Sequence, residues 1–461
     1  MTDISNIILS KAMQLCQPSP SEIKKLTMVA CKAKNLVTKY SSPKIIEIVF
    51  GGSFAKGTWL KNDADIDIFI KLDASISNEE FEQLGKQIGL ESLKMYKTRL
   101  RYSDHPYVEA LVKGNRVNVV PCYNVEQGKW KSAADRSPFH TEYIKNHLDE
   151  EKRNQVRLLK KFLKSFGIYG AEIATSGFSG YVAEILILKY GSFESVLHAF
   201  SNINIREDER NVISVDKADE DIIKTFQSHI IIVDPIDPRR NLGTAISAES
   251  VGKFLLAARA FLEKPSLNFF EKKDKKHANF SNKRLYPNLL IIEFCYSERS
   301  PDVIWGQLKR SLNAISRQLN LAGFKVIRNI CTTDEKKLAA FIFLLESLTL
   351  SSYAERVGPE IFRKDATARF ISKNSRESLL MWIDKETRVK SLIERRTKNA
   401  TDYVKLLLSG RIESTGITKG LIIDIQTTLQ IYTGDKRKIK GLIKDAITKI
   451  ITTESIIFER T

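Results

Sequence analysis

Cysteine is scarce in this chain: five residues in 461, at Cys16, Cys31, Cys122, Cys295 and Cys331. No two form a CxxC pair or a metal-ligand spacing, which excludes a disulfide framework or a zinc site as the organising device. No apolar run approaches the length that spans a bilayer, so a helical membrane-spanning class is excluded and no membrane partner is expected. The opening MTDISNIILSKAMQLCQPSPSEIKK lacks a basic stretch ahead of an apolar one. It predicts no secretory signal and a cytoplasmic location. Internal repeats and low-complexity tracts are lacking too. Acid is in deficit, with 55 Asp and Glu against 73 Lys and Arg, a net charge of +18. Such a balance suits a polyanionic partner, although excess lysine also serves solubility, so position has to decide.

What is present is the composition of a globular chain, 43% hydrophobic and 28% charged. Its length exceeds one ordinary core and predicts about three domains. Basic residues recur in the C-terminal half, at Lys272, Lys273, Lys275 and Lys276, through the run 388–398, and at Lys436, Arg437, Lys438 and Lys440. That dispersal suits a long phosphate backbone better than a small anionic metabolite.

The first forty residues carry helical apolar spacing, and KIIEIVF after Pro43 reads as a buried strand ended by Gly51-Gly52-Ser53. DADIDIFIKL follows, where Asp65 and Asp67 alternate with Ile66 and Ile68 and so share one face of a strand. SNEEFEQLGKQIGLESL predicts a helix capped by Ser77, and EALVKGNRVNVVPCY two strands joined at Lys113-Gly114-Asn115. The spacing over 154–166 predicts a helix stopped by Gly167, and SGYVAEILILKY a second. HIIIVDPIDPRRN reads as a strand interrupted by prolines, GTAISAESVGKFLLAARAFLEK as helix, and EKKDKKHANFSNKR as an exposed connection. Beyond it, helices such as VIWGQLKRSLNAISRQLNLAG alternate with strands such as LLIIEF.

Chemistry concentrates at Gly52-Ser53 and Asp65-Ile66-Asp67. A glycine-serine turn lets backbone N–H groups and a hydroxyl approach a triphosphate, while two carboxylates on one strand face bind Mg²⁺ bridging those phosphates. That is an arrangement for metal-assisted phosphoryl transfer. Taken alone the match also describes a loop and a solvated strand edge. Its embedding in apolar strands, with a third inward polar position on a later strand, favours the site.

GGSFAKGTWLKNDADIDIF resembles the nucleotidyltransferase superfamily signature, and its setting resembles the archaeal, class I CCA-adding enzymes. YSDHPYVEALVKG, VNVVPCY, KSAADRSPFH, NQVRLLKKFLKSFGIYGAE, GFSGYVAEILILKYGSF and VDPIDPRRN are similar to that family's blocks in its order, as are PSLNFF and RVGPEIF. The resemblance implies an α+β multidomain protein: a polymerase-beta-like nucleotidyltransferase head over 1–145, a mostly helical central domain over 146–264, and a mixed α/β body and tail over 265–461 that binds the acceptor and T stems of tRNA. It implies CTP and ATP as substrates, Asp65 and Asp67 as metal ligands, and Gly52 with Ser53 on the nucleotide phosphates. Lys56 stands where the family more often has arginine, which keeps the charge and loses the bidentate fork. His140, Lys160 and Tyr169 match positions around the incoming nucleotide, and Arg240 the arginine that helps read the base. From the residues alone, Lys160 also reads as charge on a solvated helix face, Tyr169 as packing, His140 as a helix cap, and Arg239 rivals Arg240.

The departure from the pattern that matters most lies in a later strand. Where the family reads V-D-V-V-P this chain has Val117-Asn118-Val119-Val120-Pro121, so Asn118 replaces the third catalytic carboxylate and metal ligand. An amide keeps one oxygen ligand and loses charge and basicity. An engineered trap and a natural RNA-binding paralogue both explain it. A poly(A)-polymerase-like transferase is the alternative enzyme, and the oligomeric state is open, with a homodimer among the arrangements.

Overall fold

The computed structural model describes residues 3–102, 105–203, 211–216, 219–226, 228, 230–271, 283–410, 412–434, 439, 441–453 and 455–458. Lys272, Lys273, Lys275, Lys276, Lys436, Arg437, Lys438 and Lys440 lie outside them, as does nearly all of the connection over 271–284. The chain forms two compact units, residues 1–277 with 454–461, and residues 278–453.

In the first unit, α1 (Asp3–Cys16) and α2 (Pro20–Thr38) precede β1 (Ile45–Gly51), the short α3 (Gly52–Lys56) and β2 (Asp65–Asp73). Then come α4 (Asn78–Ser92), β3 (Lys97–Tyr102), β4 (Pro106–Val112) and β5 (Asn115–Asn124). The five strands make one sheet in the order β1-β2-β5-β4-β3, with β2 and β5 parallel and the other pairs antiparallel. Ser77 caps α4 by accepting from the Glu80 N–H, and Lys113 and Gly114 turn β4 into β5 with φ of 48° and 83°. β3 had no counterpart among the expected strands, because KTRLRY carries little apolar signal.

Alternation decides the layers of this sheet. Ile66, Ile68, Ile70 and Leu72 of β2 join Val117 and Val119 of β5 in a core with Leu26, Val29 and Val37 of α2 and Phe81 and Ile88 of α4. The opposite face is left for Asp65, Asp67, Arg116 and Asn118, while α3 and α5 (Arg136–His147) pack beside β1 and β2.

The same unit continues with α6 (Glu150–Ser165), α7 (Gly180–Tyr190), α8 (Phe193–Ser201), β6 (Asn211–Ile213), α9 (Glu220–Thr225), β7 (Ile230–Ile232) and α10 (Ala248–Glu263). Its core is phenylalanine-rich, joining Phe162, Phe178, Phe193, Phe200, Phe254 and Phe261, and α1 packs on α6 against it. The expected helix over 243–264 starts late: residues 242–245 form a 3₁₀ turn and α10 begins after its cap, Ser247.

The second unit has β8 (Leu289–Cys295), α11 (Pro301–Ala322), β9 (Val326–Thr333), β10 (Leu338–Leu345), β11 (Tyr353–Glu360), α12 (Lys364–Asn374), β12 (Ser378–Ile383), β13 (Arg388–Glu394), α13 (Ala400–Gly410), α14 (Lys419–Thr428), β14 (Gln430–Thr433) and α15 (Gly441–Ile451). A four-stranded sheet, β14-β8-β10-β9, carries apolar cores on both faces, which is why LAAFIFLL of β10 is apolar throughout. A three-stranded sheet, β11-β13-β12, stands beside α12. The final α16 (Ser455–Phe458) packs on α10 in the first unit.

The run 388–398 is less free than its charge suggests. Arg388 meets Glu360, Lys390 lies between Glu355 and Asp384, Arg396 pairs with Glu377 and Lys398 with Glu394. Much of the positive charge read there is therefore answered locally.

Candidate nucleotidyl-transfer site

Gly52 brings the turn onto the carboxylates. Its φ is +62°, and a Cβ there would lie 1.9 Å from Asp67 Oδ2, so a side chain is excluded on both counts. Register then sets Gly51, Asp67, Asn118 and Glu109 in one cross-strand row, with Asp65 beside Arg116 in the next. Asn118 donates Nδ2–H to Asp67 Oδ1 at 2.8 Å, and Arg116 donates Nε–H to Asp65 Oδ1 at 2.7 Å. Asn118 Oδ1 is buried without a partner; turning the amide over would face that oxygen to a carboxylate and lose the bond. Burial pushes the Asp67 carboxyl above the usual range, offset by the Asn118 N–H and reinforced by the charge of Asp65. Burial raises Asp65 as well, against the pull of Arg116.

A second group lies behind this one. Lys56 at the end of α3 and Lys160 on α6 both place Nζ on Glu184 of α7, at 2.9 and 3.0 Å, and Thr58 Oγ1 donates to the same carboxylate at 2.5 Å. Lys160 also donates to the Thr58 carbonyl at 3.2 Å. All of these side chains are buried, which overturns the reading of Lys160 as charge on a solvated face. Burial alone would raise the Glu184 carboxyl, yet the charges of Lys160 and Lys56 hold it at about 2. Tyr169 is half-buried beside them, with the Lys164 ammonium 4.9 Å from its ring centre. A Cβ on Gly180 would come within 2.9 Å of the Tyr169 hydroxyl and 3.5 Å of Lys160 Nζ, so glycine is what lets these two polar tips stay close.

The third group centres on Asp234, which follows β7 and is fully buried. His140 Nε2 bonds its Oδ2 at 2.9 Å, Tyr181 OH donates to Oδ1 at 3.1 Å, and Arg240 Nη1 donates to Oδ2 at 3.3 Å. His140 sits within α5, so it is no helix cap. Burial lowers its pKa despite Asp234, which keeps the ring neutral near pH 7 with the Nε2 proton facing the carboxylate. It is Arg240, not Arg239, that reaches Asp234. Tyr181 joins the groups, stacking on His140 at 4.0 Å and lying 5.0 Å from Lys56 Nζ.

The first unit thus holds every catalytic, metal-binding and nucleotide-binding candidate named from the sequence. Glu184, Tyr181 and Asp234 were missed, and their signals are faint: an acid between Ala183 and Ile185 in an apolar helix, a tyrosine one turn earlier, and an acid closing an isoleucine run.

Removing one partner of such a buried ion group leaves charge unpaired and costs about 3–5 kcal/mol. Because the folded pKa of Glu184 is depressed, its contribution is present above the ordinary 4.5 and is lost as pH falls toward about 2. We expect Glu184→Gln to lower the melting temperature clearly at pH 7 and progressively less between pH 4.5 and 2. An equal loss throughout would show that packing, not charge, is what the carboxylate supplies.

These positions can be set against known proteins. The nucleotidyltransferase domain family matches residues 31–147, the second domain of tRNA nucleotidyltransferase residues 154–271, and the C-terminal domain of CCA-adding enzyme residues 287–434. The CCA-adding enzyme of Pyrobaculum neutrophilum is 36% identical over 412 residues, covering 87% of this chain and 94% of that protein. The chain belongs to the CCA-adding enzyme family. The CCA-adding enzyme of Saccharolobus shibatae is 36% identical over 356 residues, covering 77% of this chain and 82% of its own. Among solved structures, the Cid1 poly(U) polymerase overlaps 59% of this chain and 99% of its own at TM-score 0.47 and 14% identity, too low a likeness to argue from. Membership in the CCA-adding family carries the α+β multidomain architecture with a nucleotidyltransferase head, and nucleotidyltransferases typically use divalent metal ions. No helix among the described residues is long and apolar enough to cross a membrane.

Proposed function

We propose that this chain extends the 3′ end of tRNA by successive transfer of CMP, CMP and AMP from CTP and ATP, releasing pyrophosphate. The observation that carries the site assignment is the pair Asp65 and Asp67 on one strand face, with Asp67 pressed against Gly52, in a unit that also gathers Lys56, Lys160, His140 and Arg240. Two carboxylates on one strand face and the orphaned Asn118 oxygen fit one hard cation, and Mg²⁺ is the ion we assign. When bound, it neutralises the triphosphate and stabilises charge on the departing pyrophosphate.

The chain's own groups do the rest. Gly52 and Ser53 receive the phosphates from the backbone side, and Lys56 and Lys160, sharing one carboxylate, leave a net positive charge facing them. Tyr169 offers a ring and a hydroxyl beside Lys160. Asp234 aims Arg240, whose fork meets acceptor atoms on the base, while neutral His140 fixes Asp234 from the other side. Asn118 orients Asp67 through its amide but cannot take a proton from the primer hydroxyl. We assign residues 1–145 to catalysis, 146–264 to nucleotide recognition and 265–461 to tRNA, in the cytoplasm; a homodimer is the assembly to test by light scattering.

Competition binding tests the RNA assignment. A minihelix of acceptor and T stems should compete almost as well as whole tRNA, with affinity falling steeply as salt rises, because the contacts are to phosphates. An unstructured RNA of similar length should compete poorly. Equal competition by single-stranded RNA would replace this reading with a poly(A)-polymerase-like one.

A further inference from the structure

The register that sets Asp67 beside Asn118 also determines which other charges face the paired carboxylates. Arg116 lies two residues before Asn118, in register with Asp65, and its guanidinium is bonded to Asp65 at 2.7 Å while remaining half exposed. Glu109, opposite Asn118 on β4, is the one further acid on that row, and Arg99 and Arg101 hold it at 2.5 and 3.5 Å. Among the described residues no three His, Cys, Asp or Glu side chains converge as a metal-binding group.

Two divalent ions about 3.5–4 Å apart repel strongly and need anionic ligands around and between them. Here two carboxylates and one guanidinium leave a single net negative charge. A nucleotide brings its own charge with its cation, so that ion is accommodated. A second would find a neutral amide oxygen, and a carboxylate already bonded to a fixed cation.

We propose that this cleft takes a single divalent cation, the one carried by the nucleotide triphosphate, and that the Arg116 guanidinium beside Asp65 supplies the positive charge a second cation would otherwise bring. The proposal rests on Asp65 and Asp67 being the metal-binding carboxylates. Arg116 is a positioning residue in it, fixing Asp65 through the 2.7 Å bond from its Nε–H while its guanidinium stays half exposed.

The test is a Mn²⁺ titration of the intact chain with a non-hydrolysable CTP analogue, free Mn²⁺ being read by electron paramagnetic resonance. The expected result is one tightly bound Mn²⁺ per chain, rising to two in Asn118→Asp. Arg116→Ala should keep the stoichiometry at one and tighten Mn²⁺ binding in the absence of nucleotide by about tenfold, the effect of removing a full charge a few ångströms away. Circular dichroism would establish that both variants are folded. Two equally tight ions in the unaltered chain, or an affinity indifferent to Arg116→Ala, would overturn the proposal. No bound Mn²⁺ under any condition would instead overturn the assignment of Asp65 and Asp67 as ligands.

Discussion

Replacing Asn118 by aspartate is expected to raise nucleotide addition to a tRNA lacking its 3′ CCA by about 10²- to 10⁴-fold, the range a positioned general base commonly contributes. The argument starts from the sheet. Asn118 is opposite Asp67 on a parallel strand, its amide nitrogen 2.8 Å from that carboxylate and its oxygen buried without a partner. An aspartate there keeps the shape and adds charge and basicity on the side where the primer hydroxyl has to be deprotonated. It also forfeits the hydrogen bond to Asp67 and sets two carboxylates together, so the variant should be more dependent on divalent metal than the parent chain. Primer extension with labelled CTP, run over a metal titration, measures both effects. Equal and low incorporation by the two forms would identify the chain as an RNA-binding paralogue that has lost catalysis elsewhere.

Substituting Asp65 and Asp67 together by alanine is expected to weaken metal-dependent triphosphate binding about 100-fold or more, since several kcal/mol of charge stabilisation pass through the metal ligands. A residual affinity should survive, independent of metal, because Lys56, Lys160 and Arg240 belong to groups built on Glu184 and Asp234 rather than on these carboxylates. Calorimetric titration with CTP, with and without Mg²⁺, separates the two components. The Asp→Asn pair is the companion variant, because alanine at 67 removes the acceptor of the Asn118 amide and empties the space under Gly52. If either double variant bound CTP with unchanged affinity in Mg²⁺, the carboxylates would have no part in nucleotide binding.

How far the site could be read in advance varied with the kind of residue. Asp65 and Asp67 announced themselves through alternation with isoleucine, a local pattern that already states which face of the strand each side chain takes. Gly52 was legible from its place between a strand and the carboxylates, although its contact with Asp67 was not. Lys160 and His140 had ordinary surface readings until they were seen buried on Glu184 and Asp234. Those two acids lie 24 and 94 residues from their partners, and no periodicity links such positions. The basic run 388–398 gave no sign of its ion-pair partners Glu355, Glu360 and Glu377, which come from other parts of the chain.

The sequence by itself determined the family, the α/β head with the helices that follow it, and the strand faces, because these follow from ordered motifs and from alternation along a few consecutive residues. It also displayed the exchange of carboxylate for amide at Asn118. Only the tertiary structure decided that Arg116 answers Asp65, that Lys56 and Lys160 share one buried acid, and that Arg240 rather than Arg239 is aimed by Asp234. The physical reason is the same in each case. A charge taken out of water must find its counter-charge in space, and strand register and helix packing choose that partner from residues far apart in the chain.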